Sequence, residues 1–264
     1  MRDDRSRHPA GRRPEAPTMH LLHDRGRPLP APVPVPRDAA GARRLAAVYA
    51  PPPDRVHVRA MMNTTVDGAV SGADGISGSL RNPDDSFAFG VLRALADVIL
   101  VGARTVREED YRRPQGRADL LEPSRRPGGG PRPALAILTR TGLLPRTIEP
   151  DWPTYLLVPR ASREAVVAAG IVPADQVLAA DAPADAVARL AEMGHRAIQA
   201  EGGPGALGQL VAAGVVDELC FSLTHRTVGG SSSRVLDGPA HEQDWHLASL
   251  IVGERATLTR YTRA

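Results

Sequence analysis

A chain of 264 residues with 42% hydrophobic side chains holds one sizeable domain. All 33 basic residues are arginine, so neither a Walker A phosphate loop nor a pyridoxal Schiff base can be built, and one cysteine allows no intrachain disulfide or multi-cysteine zinc site. A net charge of +3 with 3% aromatics argues against a nucleic-acid surface, no apolar run reaches the length of a membrane span, and a reducing cytoplasm is expected.

The first forty residues are rich in Pro and Arg and poor in large apolar side chains, which predicts a disordered tail over 1–40 ahead of a single domain over 41–264. Within that tail Met19 offers an alternative start. "DAAGARRLAAVYAPP" (38–52) reads as a short helix stopped by prolines, and "VHVRAMM" (56–62) as a strand leading into an Asp67-Gly68 turn. Over 82–97, Asn82 is an N-cap candidate, Pro83 suits the first turn and Asp84 and Asp85 suit the positive end of the helix dipole. "VILVG" (98–102), "ALAIL" (134–138) and "TYLLV" (154–158) are short apolar runs of the kind buried on both faces of a parallel sheet. A long Pro-, Gly- and Arg-rich loop is expected over 111–133, and helices over 161–169 and 183–193. Strand "AIQA" (197–200), a glycine turn, a helix over 205–213 and strand "VDELCFSL" (216–223) follow. "WHLASLIVG" and "RATLTRYT" close the chain as an antiparallel hairpin, expected at the sheet edge. The βαβ alternation predicts an α/β fold with a mostly parallel sheet.

The glycine turn spells G-x-G-x-x-G through Gly203, Gly205 and Gly208. A Rossmann site would want an acid at the end of the following strand, where Ser222, Leu223 and Thr224 stand instead, so that reading fails. Two readings stay open for the turn itself: a phosphate cradle at a helix N-terminus, or glycines that only permit tight packing. A second strand-to-helix junction at Gly102, Ala103, Arg104 and Thr105 could cradle another phosphate, and Thr139 and Arg140 at a third strand end suit a ribose 2′-phosphate. Three such strand ends favour NADPH. The histidines of "HEQDWH" (241–246) are five apart and diverge on a helix, so no metal site is expected there, and Cys220 reads as inert core.

"NTTVDGAVSG", "LRALADVILVGARTVREED" and "EGGPGALGQLVAAGVVDEL", in that order, resemble the reductase domain of riboflavin biosynthesis, the C-terminal half of the bifunctional deaminase-reductase. The resemblance spans about residues 56–262 and implies a three-layer dihydrofolate-reductase-like fold. It implies NADPH-dependent reduction of the ribosyl group of a phosphoribosylamino-pyrimidine, a small-molecule substrate, and a homodimer formed through the sheet edge. It also implies site residues. Asn63 and Thr65 would meet the nicotinamide and Asp67 would serve the chemistry beside the substrate. Ser77, Arg93, Arg113 and Glu201 would contact substrate. Thr105 and Glu109 would bind cofactor, with Gly202, Gly203, Pro204, Gly205 and Leu207 forming its cradle. Three departures weaken the substrate assignment more than the cofactor assignment: Thr65 for a commoner serine, Ser79 for a tryptophan, and "REEDYRR" for "ADDP".

Two rivals keep the cofactor. One reduces dihydrofolate or a similar pterin, for which a carboxylate on the first long helix is needed; Asp84 and Asp85 look instead like dipole partners. The other binds NADPH without turnover. Asp67 has a plain reading as a turn former and Arg93 as a solvated helix-face residue.

Overall fold

The computed structural model describes residues 18–108, 115–120, 132–144 and 152–264. Its sheet has eleven strands in the order β2-β1-β10-β11-β9-β3-β8-β4-β5-β6-β7, where β1 is Thr18–Asp24 and β2 is Arg27–Pro36. The inner and far strands are β3 (His57–Thr65), β4 (Val98–Gly102), β5 (Ala134–Leu138), β6 (Thr154–Val158), β7 (Val177–Ala179), β8 (Ala197–Gly202) and β9 (Glu218–Thr224). From β9 to β7 every neighbouring pair is parallel. β10 (Trp245–Val252) and β11 (Ala256–Arg263) add an antiparallel hairpin to β9.

Alternation along β4 shows why those apolar runs are central strands. Val98 and Leu100 enter one core with α5 (Pro183–Glu192) and α6 (Pro204–Ala212). Ile99 and Val101 enter a core on the opposite face, with α3 (Ala103–Glu108) and α4 (Arg160–Ala168). On that same face α1 (Ala39–Val48) and α2 (Pro83–Leu95) pack over Met61 and Cys220. Helices on both faces of a largely parallel sheet make three layers. Among the described residues no helix is long and apolar enough to cross a membrane.

Two expectations fail at one end of the sheet. Residues Thr18–Asp24 and Arg27–Pro36 are not a disordered tail but strands β1 and β2. The closing hairpin is not the sheet edge, because β1 pairs with β10 and β2 lies outside β1. Composition hid this: Met19, Leu21 and Val35 are few, yet they point inward at strand spacing and are buried against α1 and α2.

A buried charge cluster holds α1 down. Glu218 accepts from Arg59 at 2.5 Å and Arg260 at 2.8 Å, with His57 at 3.3 Å. The two arginines also donate to the last carbonyls of α1, Tyr49 O and Val48 O. Burial opposes the charge on Glu218, but Arg59, the His57 hydrogen bond and Arg260 hold its carboxyl well below the usual range.

Candidate functional site

A cleft of about 800 Å³ opens at the carboxyl ends of β3, β4 and β8. In an open α/β sheet this is where ligands bind, since helix N-termini and strand-end loops converge there. Its walls come from two sources: the α6 turn facing the start of α3, and the first half of α2 with the turn before it.

The α6 wall is built around Gly203. This residue is the N-cap of α6 with φ +71°, has no capping side chain, and an added Cβ would come within 2.5 Å of Thr105 Oγ1. Only glycine fits a left-handed backbone at such an approach. The uncapped first turn leaves backbone N–H groups facing the cleft at the positive end of the dipole, next to the Thr105 hydroxyl. Gly102 is equally confined, with Ala206 Cβ and Gly202 O at 3.2 and 3.3 Å from its would-be Cβ. Gly208 plays the other role left open for the motif. Its Cβ would meet Asp237 O at 2.7 Å, so it serves loop packing. These backbone cradles and hydroxyls fit the phosphates of a dinucleotide cofactor.

The α2 wall carries the acid. Asn82 caps α2 through Asp84 N and Asp85 N, as its sequence predicts. The two acids are nevertheless not mere dipole partners. Asp84 accepts from Arg255 N at 2.8 Å and pairs with Arg37 at 3.4 Å. Asp85, 6% exposed, lines the cleft, and its buried Oδ1 has no hydrogen-bond partner. Burial pushes its carboxyl up to about 6, against the opposing pull of Ser222, Asn63 and the Arg81 and Arg93 charges. A carboxyl poised there holds or releases a proton near neutral pH.

Three arginines reach the cleft with different commitments. Arg93 is locked in a bidentate pair with Glu201 (2.8 and 2.6 Å) and stacks on Phe89; Gln199 also donates to Glu201 at 2.7 Å. Arg104 pairs with Glu108 at 2.9 Å on the exposed face of α3. Arg81 lines the cleft and forms no ion pair among the described residues, which leaves its guanidinium available to an anion.

The predicted residues sort accordingly. Asn63, Ser77, Arg93, Gly102, Arg104, Thr105, Glu201, Gly202, Gly203, Pro204 and Gly205 all line the cleft. Asn63 is fixed by donating to Leu80 O and accepting from the Thr224 hydroxyl at 2.7 Å. Others are placed elsewhere. Asp67 lies outside the cleft, beside a second hollow, and its carboxylate accepts from Thr65 Oγ1, Val228 N and Gly229 N. Those bonds hold it below the usual carboxylate range, the Thr65 hydroxyl first. It braces a loop. Thr65 is buried and spent on Asp67 and the Ala69 backbone. Leu207 and Ala103 are core side chains. Thr139 turns its hydroxyl to Gly142 N, and neither it nor the exposed Arg140 lines the cleft. Glu109 and Arg113 lie outside the described residues. Asp85 and Arg81 are among the cleft residues that sequence reasoning missed. The capping pattern explained Asp85 too well locally, and nothing in it marked which acid would face a cleft.

The molecule is thus an α/β domain with a ligand cleft at the carboxyl ends of its parallel strands, half glycine cradle and half acid-bearing wall. The RibD C-terminal domain model matches residues 56–257, and the chain belongs to that family. A pyrimidine reductase-like protein from Corynebacterium diphtheriae is similar in structure, with TM-score 0.71 and 20% identity over 83% of this chain and 98% of that one. Acinetobacter baumannii RibD superposes with TM-score 0.64 at 15% identity, covering 80% of this chain and 58% of that one. The Saccharomyces riboflavin biosynthesis reductase Rib7 does so with TM-score 0.54 at 18% identity, covering 80% and 90%. No curated protein sequence matches the chain. These neighbours share the three-layer α/β fold expected from the sequence.

Proposed function

We propose that the chain is an NADPH-dependent reductase of the riboflavin-pathway type, converting a phosphoribosylamino-pyrimidine to its ribitylamino form. The observation that carries this reading is the juxtaposition, across one cleft, of the Gly203 cradle and the protonatable Asp85. Family membership and reductase-named neighbours support it. Gly203, Gly205 and Thr105 would hold cofactor phosphate, and when bound the nicotinamide supplies hydride to C1′ of the sugar in its open imine form. Asp85 then gives its proton to the imine nitrogen as the C=N bond becomes C–N, and takes another from water. Arg81 grips the substrate phosphate, and the Arg93–Glu201 pair keeps the wall between them rigid.

The placement of Asp85 also favours a second reading, the reduction of dihydrofolate or another pterin. A carboxyl on the first long helix that protonates a ring nitrogen is what that chemistry needs. Both readings are tested by NADPH oxidation with the ribosylamino-pyrimidine phosphate and dihydrofolate in parallel. Turnover of the pyrimidine supports the pathway reductase, and turnover of dihydrofolate alone replaces it with the pterin reading. Binding of NADPH without oxidation on either leaves a cofactor-binding protein and refutes both.

A further inference from the structure

The N-terminal segment that composition assigned to disorder has a specific construction. Residues 18–37 precede the region matched by the family, and they cover the sheet edge that β10 would otherwise expose. β1 pairs with β10 through His20↔Val252 and Leu21↔Ile251. The chain then reverses through Arg25 and Gly26, both at positive φ, and returns as β2. In β2 every second residue is proline: Pro28, Pro30, Pro32, Pro34 and Pro36.

That parity has a consequence for hydrogen bonding. Along a strand, successive N–H groups point to opposite edges. The ladder with β1 needs donors from β2, and in the stretch opposite Met19 and Leu21 only Val35 and Val33 have them. The valine amides therefore face β1, and the nitrogens of Pro34 and Pro36, which carry no hydrogen, face outward; between Val33 and Pro28 the register shifts and the ladder is interrupted. The carbonyls agree, since Pro34 O is free of the ladder and accepts from the Arg44 guanidinium on α1. The carbonyl of Pro36 sits against Gly41, where a Cβ would fall only 1.7 Å away. Among the described residues, the outer edge of β2 over 33–36 thus presents no backbone donor, and prolines on an edge strand protect it from further pairing.

The segment is also fastened. Met19, Leu21 and Val35 are buried in the core shared by α1 and α2, Arg37 pairs with Asp84, and Asp38 caps α1 through Gly41 N at 2.9 Å. Beneath it, β10 carries the apolar run Leu250, Ile251 and Val252, which would be an exposed pairing edge if uncovered.

We propose that residues 18–37 form an edge clasp that fills the pairing edge of β10 and ends the sheet in a proline-rich, donor-poor strand, so that this chain does not pair edge to edge with a second copy. The homodimer expected through that edge is accordingly replaced by an intramolecular strand pair.

The test restores the donors without adding apolar surface. In Pro30→Thr/Pro32→Thr/Pro34→Thr, three N–H groups return to β2, the one at 34 on its outer edge, and sedimentation across a wide concentration range should show self-association tightened about a hundredfold over the parent chain. Hydrogen exchange should show amides 30, 32 and 34 gaining protection as concentration rises. The single Pro34→Thr change, gentler on folding, should give a smaller gain in the same direction. A folded variant of either kind whose mass distribution matches the parent's at every concentration overturns the proposal. So does a parent chain in which β2 itself gains protection on dimerising.

Discussion

Replacing Asp85 by Asn separates stability from function, because the same burial that makes the carboxyl useful makes its charge costly. Its pKa rises from the usual 3.8 to about 6, mainly through burial. The native state thus holds this proton more tightly than the unfolded chain does. Its contribution is fully present below pH 3.8 and is lost as pH rises through 6. The loss corresponds to about 3 kcal/mol at pH 7 and above, at roughly 1.4 kcal/mol for each tenfold change in proton affinity. Asp85→Asn removes that penalty while keeping the shape, so the variant should be more stable than the parent by up to about 3 kcal/mol at pH 8 and by little at pH 4. Urea midpoints at the two pH values measure this directly. Activity should move the other way. In the parent, turnover limited by proton delivery falls about tenfold per pH unit above 6, and the variant should lie on a flat floor about 10²–10⁴ lower. Parallel stability profiles for the two proteins would show that Asp85 is not desolvated. Unchanged turnover with the parent's pH profile would remove it from the chemistry.

Other expected outcomes rest on separate features. His195 packs edge-on against Tyr155 with neither ring nitrogen hydrogen-bonded, and burial lowers its pKa from 6.5 to about 4. Stability it confers when neutral should be lost as pH falls from 6.5 through 4, by about 3 kcal/mol, and His195→Met should flatten that slope in acid urea titrations. Gly203→Ala places a methyl on a left-handed backbone beside Thr105, a cost of about 1–2 kcal/mol, and should weaken NADPH binding about tenfold by calorimetry while leaving the fold intact. Asp67→Asn should leave turnover within a few-fold but speed proteolysis around residues 225–230, whose amides it braces; a hundredfold loss of turnover would return Asp67 to the active centre.

The sequence by itself determined whatever depends on near neighbours. Apolar runs such as "VILVG" read as strands buried on both faces, Asn82 and Pro83 as the start of a helix, and a glycine between strand and helix as a place where backbone approaches closely, and each is so. The motif order carried the family. Tertiary structure decided which side chain faces what. In one dimension Asp67 looks suited to acid chemistry and Asp85 to the helix dipole. One is turned to backbone amides outside the cleft, and the other is left buried inside it with an unpartnered oxygen. Arg93 and Arg81 differ in the same way, since Glu201 arrives from a strand 108 residues later to occupy the first. The Pro-rich segment shows the same limit at the level of an element. Its local composition offers too little burial to fold alone, and it becomes a pair of strands only because β10 supplies a ladder and α1 and α2 supply a core.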